Sequence, residues 1–416
     1  MSKLQTVRDL RRANRRSVLS ALYFDGPSSR VQLSATTGLS PATVGNVIGD
    51  FLKEGVLLET GQVESDGGRP ATLLDVGAEQ AFSVGVDLGE EGVRVELFDL
   101  RLRRVAATHG FTNSSEPAVM VALIARLVDE VCASIPVGGE LLGVGVGVPG
   151  IVDGRDAPVV HAPSLGWKAV PLQAMLASAT GANVVIDNGV KTMGRAEAWF
   201  GGGKGVDDLI VVLIGTGVGA ALLTNGVVNR GVSSSAGEWG HTKVVLNGKR
   251  CRCGAAGCLE AYLGADAIAD RFRRLNKSLP VELSRDEVLQ RLCDDLELGR
   301  APARRTLDET ATYLAAGIGD LTNLLNPSLI VVGGDIGLLL GPALLPLVRD
   351  RLGQFALAPA VERLTLALSD FGPDAVALGA ATLPIEQFLA SGGNRLPGGA
   401  PAPGSTKTIA SVRSAS

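Results

Sequence analysis

One histidine and three cysteines lie close together in the second half of the chain. The histidine ends the run from Gly237 to His241, and Cys251, Cys253 and Cys258 follow in a glycine-rich segment. One imidazole and three thiolates form a ligand set that suits tetrahedral Zn²⁺, and four protein ligands predict a closed, structural site. The alternatives are free thiols or a disulfide, but a disulfide between cysteines separated by one residue is strained. We therefore expect a zinc loop that runs from the histidine to the last cysteine.

A second candidate for chemistry is the glycine loop Gly215-Thr216-Gly217-Val218-Gly219, which follows an apolar, strand-like segment. Glycines let backbone N–H groups come close to phosphate oxygens, so the loop is compatible with a phosphate site. Glycine turns of this kind also serve to pack a hairpin. The sequence leaves both interpretations open.

Length and composition indicate more than one folding unit. The chain has 416 residues, of which 46% are apolar and only 4% aromatic, with 54 glycines. Such a length predicts two or three domains, and a core of Val, Leu, Ile and Ala is typical of an α/β protein. The net charge of −4 hides a basic N-terminal end, which suggests an anionic partner there. Residues 1–30 contain only two acidic residues, Asp9 and Asp25, but seven basic ones: Lys3, Arg8, Arg11, Arg12, Arg15, Arg16 and Arg30.

The sequence predicts neither a signal peptide nor a membrane-spanning segment. The basic N-terminal stretch has no apolar core after it, so we expect no signal peptide and a cytoplasmic protein. Residues 328–348 approach transmembrane length, but Asp335, two prolines and four glycines interrupt them, which favours a buried strand, a turn and a helix. The isolated Cys132 and Cys293 are interpreted as ordinary buried thiols.

The N-terminal segment has the pattern of a winged helix-turn-helix. Helical spacing covers residues 7–24, and two short helices, 30–37 and 41–53, flank a glycine turn. Strands at 56–59 and 71–76 would form the wing. In this arrangement Thr43 and Asn46 are candidates for base-edge contacts, and Arg69 reaches a minor groove or a phosphate. The predicted DNA-binding residues are Arg30, Ser40, Thr43, Asn46 and Arg69.

From about residue 81 apolar strands alternate with helices, which predicts a mixed α/β sheet fold with two halves around a cleft. The last residues are rich in Gly, Pro, Ser and Ala without periodicity. We therefore expect a DNA-binding domain at 1–78, an α/β domain at 79–390 that includes the zinc loop 241–258, and a disordered tail at 391–416.

Six segments of the chain form a recurring set of motifs: Gly237 to His241, Cys251 to Glu260, Gly215 to Gly219, Pro149 to Asp153, Ala162 to Trp167 and Asn326 to Gly334. Together, in one consistent order, they resemble the ROK family of repressors, open reading frames and sugar kinases. The resemblance covers about residues 82–390, and residues 5–76 resemble the DNA-binding part of its xylose and N-acetylglucosamine repressor branch. It implies a winged helix-turn-helix followed by an actin-like, sugar-kinase-like two-lobed α/β domain.

The resemblance also implies a sugar site. In the family the Glu and His of the GEWGH motif bind sugar hydroxyls, and the His also binds zinc, so Glu238, His241 and Glu260 inherit these roles. A buried carboxylate that accepts paired hydroxyls is a physically sensible sugar ligand. Asn188 and Ser164 complete the expected sugar-binding set. Ser164 replaces the family's Asn and is shorter, which leaves the identity of the ligand open.

Two departures from the family's kinases argue against catalysis. The aspartate that serves as general base in the kinases falls on Gly189, which has no proton acceptor, and a shift in register would be needed for Asp187 to replace it. The first phosphate turn of the kinases carries Glu90 and Glu91 after Asp87, and two carboxylates there would repel ATP. We expect no catalytic residues.

The expected function is a sugar-responsive transcriptional regulator, acting as a repressor of carbohydrate metabolism genes, with operator DNA and a sugar effector as partners. Operator symmetry predicts a homodimer or homotetramer. The competing hypothesis is an ATP-dependent sugar kinase with an accessory DNA-binding domain. A third is a constitutive DNA-binding protein whose sugar domain is inert.

Overall fold

The computed structural model describes residues 6–63, 70–90, 92–154 and 156–394. Its helices are α1 Val7–Asp25, α2 Arg30–Thr37, α3 Pro41–Lys53, α4 Pro117–Cys132, α5 Leu172–Thr180, α6 Gly189–Phe200, α7 Glu260–Leu263, α8 Ala265–Leu275, α9 Arg285–Glu297, α10 Ala301–Leu325, α11 Asp335–Leu352, α12 Ala358–Val361 and α13 Ala375–Ala390. Its strands are β1 Ser28–Ser29, β2 Leu57–Val63, β3 Ala71–Val76, β4 Ala81–Leu88, β5 Gly92–Asp99, β6 Arg104–Phe111, β7 Glu140–Val148, β8 Ile151–Asp153, β9 Val159–Ala162, β10 Trp167–Val170, β11 Val184–Asn188, β12 Asp208–Ile214, β13 Val218–Thr224, β14 Val227–Val228, β15 Leu329–Gly333 and β16 Thr365–Leu368.

The N-terminal unit consists of α1, α2 and α3 beside a small antiparallel sheet of order β1-β3-β2. Local signals explain its helix ends. Ser40 caps α3 by accepting a hydrogen bond from the Thr43 N–H, Pro41 is the first helical residue, and Gly38 ends α2 with φ of 69°. The element order is the one expected for a winged helix-turn-helix. Arg69, the predicted wing residue, lies outside the described residues.

The first lobe is built on a five-stranded sheet of order β11-β7-β4-β5-β6, in which β4, β7 and β11 run parallel. Helices α4 and α5 cover one face and contribute to its apolar core. On the other face α13 lies very close to the strands. A Cβ on Gly85 would be 1.9 Å from the Ala377 carbonyl oxygen, and one on Gly145 would be 1.8 Å from that of Ala380. Glycine is therefore required at both positions for this helix to pack on the sheet.

The second lobe repeats the arrangement with a sheet of order β14-β13-β12-β15-β16. Helices α8 to α11 pack on it and form the largest apolar core of the described residues. A separate three-stranded antiparallel sheet, β10-β9-β8, extends from the first lobe. These two sheet-and-helix lobes agree with the expected two-lobed α/β fold.

The N-terminal unit shares a core with the two-lobed domain. Phe388 and Leu389 of α13 belong to the same apolar cluster as the buried residues of α1 and α3. Arg15, one of the basic N-terminal residues that suggested an anionic partner, is only 4% exposed. Its guanidinium donates to Glu54 at 2.5 and 2.9 Å and to the Gly392 carbonyl oxygen at 2.8 Å. The segment 391–394 is thus held against α1, while residues 395–416 of the predicted tail lie outside the described residues.

The long apolar segment at 328–348 folds as predicted, into β15 and the first part of α11. Among the described helices, none has both the length and the apolar character that crossing a membrane requires.

Candidate functional site

A cavity of about 270 Å³ lies between the two lobes. Its walls come from the ends of β4, β7 and β11, the start of α6, the glycine loop after β12 and the segment before the cysteines. The structure brings the five predicted sugar-binding residues together in this wall: Ser164, Asn188, Glu238, His241 and Glu260. Its volume is close to the lower end of the range for small-molecule sites, about 300 Å³.

Asn188 joins β11 to α6, and most of the hydrogen-bonding groups of its side chain already have partners within the protein. Its Oδ1 accepts hydrogen bonds from the N–H groups of Val190 and Lys191, at 3.0 and 3.2 Å. Its Nδ2 donates to the Gly150 carbonyl oxygen at 2.7 Å. An amide nitrogen carries two hydrogens, so one remains for a ligand.

Gly189 follows as the first residue of α6 and lines the cavity. A Cβ placed there would have no neighbour closer than Val376 Cγ1, at 3.4 Å. A side chain therefore fits at this position. Asp187, which could replace the missing base only through a shift in register, is buried and paired with Arg230, with contacts of 2.6 and 2.7 Å. It is not part of the cavity wall.

Glu238 and His241 face each other across the wall. The His241 Nε2 atom lies 4.0 Å from Glu238 Oε2, while its Nδ1 lies 3.7 Å from Cys251 Sγ. Burial raises the pKa of Glu238, and the charges of His241 and Lys191 oppose the rise. This imidazole thus connects the cavity to the cysteine cluster.

Glu260 has a bracing position in the same wall. One of its oxygens accepts the Val218 N–H of the glycine loop at 3.1 Å. The other accepts from Arg252 Nε at 3.1 Å. Both oxygens of this predicted sugar-binding residue therefore already accept hydrogen bonds from the protein, and Glu260 connects the glycine loop to Arg252.

Arg252 lies between two of the cysteines and contacts both lobes. Its Nη1 donates to the two oxygens of Glu90 in the first lobe, at 2.7 and 2.8 Å, and its Nη2 donates to the Thr216 carbonyl oxygen at 3.1 Å. Glu90 is one of the two carboxylates expected to repel ATP, and the guanidinium offsets its charge. Glu91, the other, lies outside the described residues.

The donor atoms of His241, Cys251, Cys253 and Cys258 all lie within 4.8 Å of one another. The Sγ atoms of Cys253 and Cys258 are 3.7 Å apart, as are Cys251 Sγ and His241 Nδ1. Tetrahedral bonds of about 2.0–2.3 Å place ligand atoms about 3.5–3.8 Å apart, so the arrangement fits a tetrahedral metal ion. The predicted set is thus assembled as a cluster able to hold a metal.

Lys243 places a positive charge beside the cluster. Its Nζ donates a hydrogen bond to Cys258 Sγ at 2.8 Å, which would offset the excess negative charge of three thiolates around a divalent ion. This lysine was not foreseen from the sequence, because nothing in its spacing distinguishes it from a surface lysine.

A second cavity, of about 880 Å³, opens beside the glycine loop and the start of α11. Arg104 donates to Asp374 at 2.7 Å and to Glu96 at 3.3 Å, and Arg94 also pairs with Asp374. Asp87 lies between the two cavities, and burial raises its pKa to about 7, with the charge of Arg94 opposing the rise. Ion pairs within the chain therefore line this side of the cleft.

The candidate DNA-facing residues lie on α2, α3 and the turn between them. Asn46 is exposed on α3, whereas Thr43 is half-buried and its hydroxyl lies 2.9 Å from the Ser40 hydroxyl. Ser40 therefore serves as a helix cap. Arg30 is exposed, with Glu59 3.7 Å away. Gly45 has no side chain, and the position that its Cβ would occupy has no neighbouring atom within 4 Å. The surface of α3 around Gly45 is therefore accessible.

Comparison with proteins of known sequence gives one consistent result. The chain is 27% identical over 381 residues to the xylose repressor of Bacillus subtilis (strain 168), covering 91% of this chain and 97% of that protein. It is 28% identical over 320 residues to the DNA-binding transcriptional dual regulator NagC of Escherichia coli (strain K12), covering 75% and 77%.

Solved structures give the same picture. A ROK family transcriptional regulator, a homolog of the E. coli MLC protein, superimposes with a TM-score of 0.78 at 26% identity, covering 92% of this chain and 98% of that one. A ROK family glucokinase from Streptomyces griseus, in complex with glucose and AMPPNP, superimposes with a TM-score of 0.62 at 27% identity, covering 73% and 98%. Residues 83–387 match the family model, and this chain belongs to the ROK family.

Proposed function

We propose that the protein is a sugar-responsive, DNA-binding transcriptional repressor of carbohydrate metabolism genes. The observation that carries this is the presence in one chain of a helix-turn-helix unit and a cavity that collects the predicted sugar-binding residues. The full-length similarity to the xylose repressor and to the ROK transcriptional regulator supports it. Asn46 and Thr43 are the proposed base readers, with Arg30 and Arg69 at the backbone or minor groove.

Two helices offer a physical route between the cavity and the DNA-binding unit. Both α6 and α13 begin at the cavity wall. At their other ends, Trp199 packs edge-on against Phe24 with ring centres 5.0 Å apart, and Phe388 enters the core of α1. A rise of about 1.5 Å per residue makes the two helices ~18 and ~24 Å long. A ligand that moves their first turns would shift the platform on which α1 rests.

Zn²⁺ is the proposed occupant of the cysteine cluster. Three thiolates and one imidazole leave no open position for substrate, so the ion would hold the loop closed rather than take part in a reaction. His241 would then be fixed between the metal and the cavity, which orients its second nitrogen toward Glu238. In this way the ion would keep part of the sugar-binding wall in place.

The same geometry argues against a sugar kinase. Gly189 offers no proton acceptor, and Asp187 is paired with Arg230. The similarity to the glucokinase keeps the enzyme as the competing function. The test is phosphotransfer from ATP to glucose, N-acetylglucosamine and xylose by the protein and by Gly189→Asp. No turnover by the unmodified protein is expected, and a rate of about 1–100 per second, ordinary for kinases, would establish the enzyme instead.

Operator binding is tested with the intergenic DNA that flanks the gene, by fluorescence anisotropy at several salt concentrations and with each of the three sugars. Affinity is expected to fall as salt rises, because bound cations are released from the phosphates. Asn46→Ala should reduce the preference for this DNA over a scrambled sequence by about tenfold, equivalent to ~1–3 kcal/mol per base contact. Lys168→Ala, an exposed charge change on β10, is the control. DNA binding unaffected by every sugar would contradict the sugar response.

A regulator of this kind would work in the cytoplasm as a homodimer or homotetramer, because two-fold operators match two-fold proteins. Sedimentation equilibrium with and without operator DNA measures the assembly. A monomer on DNA would contradict it.

A further inference from the structure

Lys191 is a buried ammonium group in the wall of the inter-lobe cavity. It is the third residue of α6 and only 2% exposed. Its Nζ donates to the Ser234 carbonyl oxygen. Among the described residues, no carboxylate oxygen lies within the 4.0 Å of this nitrogen that an ion pair requires. An ammonium has three hydrogens, so it keeps donors for another partner.

The nearby carboxylates make no direct contact with this ammonium. Both oxygens of Asp187 are in contact with Arg230, at 2.6 and 2.7 Å. Glu238 faces His241 at 4.0 Å. A buried charge without a counter-ion is costly, and burial does lower the pKa of Lys191, with the more distant charges of Asp187 and Glu238 opposing this. The wall thus has a positive charge that no carboxylate of the described residues contacts directly.

Lys191 lines the inter-lobe cavity. Gly189, two residues earlier on α6, lines the same cavity and would tolerate a side chain. The α6 N-terminus adds the positive end of a helix dipole, although Asn188 already caps two of its N–H groups. An anionic group bound in this cavity would meet the positive charge of Lys191 and the positive end of the α6 dipole, while Glu238 lies in the same wall for hydroxyls.

We infer that Lys191 is the counter-charge for an anionic group on the effector, so that the ligand is a monosaccharide bearing a phosphate ester or a carboxylate. This rests on the proposed function and specifies its ligand class. Phosphate and carboxylate share the required chemistry, a compact anion with several acceptor oxygens. The hydroxyls of the same sugar would meet Glu238 and the free hydrogen of Asn188.

The test is calorimetric titration of the full chain with three neutral and anionic pairs: glucose with glucose 6-phosphate and glucuronate, N-acetylglucosamine with its 6-phosphate, and xylose with xylonate. At least one anionic member should bind ten or more times tighter than its neutral parent. Lys191→Met should remove that advantage and Lys191→Arg should keep part of it. Lys168→Met, on exposed β10, should change nothing. The phosphate and carboxylate arms distinguish the two anions.

A stability measurement separates this role from a purely structural one. If Lys191 serves as the counter-charge for a ligand anion, Lys191→Met removes an uncompensated buried charge. The melting temperature of the ligand-free variant should then be equal to or higher than that of the unmodified protein. A lower melting temperature together with equal losses for neutral and anionic sugars would overturn the inference and assign Lys191 to packing. Preferential binding of neutral sugars would also overturn it while leaving the proposed function intact. A DNA-binding protein that binds none of the panel would contradict both.

Discussion

Gly189 and Cys253 show how single residues decide what the cleft can do. Gly189 leaves room for a side chain but supplies no proton acceptor, so its effect on catalysis would be chemical rather than steric. Cys253 is exposed, yet it belongs to a cluster whose other thiols, Cys251 and Cys258, are buried. A metal ion there would make this exposed thiol part of the folded core of the loop.

Replacing Cys253 by Ser should release the proposed zinc. A serine hydroxyl is a much poorer ligand than a thiolate, and metal-binding energy in such a site is local folding energy. We expect about one zinc per chain in the unmodified protein and less than a tenth of that in the variant, measured by elemental mass spectrometry. Sugar affinity should fall more than DNA affinity. Cys293→Ser, outside the cluster, is the matched control, and zinc retained by Cys253→Ser would show that the cluster is not the site.

Asp87 should make stability depend on pH. Burial raises its pKa from 3.8 to about 7, so the folded state binds the proton more tightly than the unfolded state does. Its contribution is therefore complete below about pH 4 and is lost as pH rises toward 7 and beyond. Asp87→Asn should raise the melting temperature at pH 8 by several degrees and flatten its change between pH 4 and 8. The exposed Asp156→Asn is the control; identical pH profiles for Asp87→Asn and the unmodified protein would show that Asp87 titrates normally.

At the scale of elements, the parts that could be predicted are those with local signals. The caps at Ser40 and Gly38 placed α2 and α3, and the short spacing of His241 and the cysteines placed the metal cluster. The ion pairs between distant segments could not be predicted. Arg252 and Glu90 are 162 residues apart, and periodicity carries no information about such pairs.

The loop that carries Arg252 acts as a connection between lobes. One guanidinium reaches Glu90 in the first lobe and both Glu260 and the Thr216 carbonyl oxygen in the second. It therefore spans the cleft at the wall of the inter-lobe cavity. Because the same loop carries Cys251 and Cys253, a change in the cysteine cluster would also affect this contact between the lobes.

Replacing Glu90 by Gln should weaken lobe closure without removing the fold. A charge-assisted pair of this partly exposed kind contributes about 1 kcal/mol, so the closed state should lose roughly fivefold in population. We expect a more expanded apo protein by small-angle scattering and a comparable loss of sugar affinity. Arg252→Gln should have the same effect, and the double variant should add little to either. Fully additive effects of the two variants would show that the pair does not act as a unit.

For the whole molecule, the DNA-binding unit is not an independent appendage. Its core includes residues of α13, and Arg15 connects α1 to Glu54 and to the Gly392 carbonyl oxygen 377 residues away. Arg101 of the first lobe also donates to the carbonyl oxygens of Leu22 and Tyr23. A displacement of the lobes would therefore move α1 through these contacts. Such a connection is what ligand control of DNA binding requires physically.

Trp199→Leu should weaken the coupling between the two functions while preserving each of them. The change removes the edge-on contacts of this ring with Phe24 and Tyr23, at 5.0 and 6.0 Å, where α6 meets α1. Coupling between sites is reciprocal, so the effect of sugar on DNA affinity and of DNA on sugar affinity should shrink by the same factor, about threefold or more. Calorimetry of sugar binding with and without operator DNA, beside anisotropy of DNA binding with and without sugar, measures both.

Phe111→Leu, an exposed aromatic on β6 at the far side of the first sheet, should leave the coupling unchanged. If Trp199→Leu preserves the full sugar effect on DNA while the protein stays folded, α6 is not the connection, and α13 with its contact to Arg15 becomes the element to test.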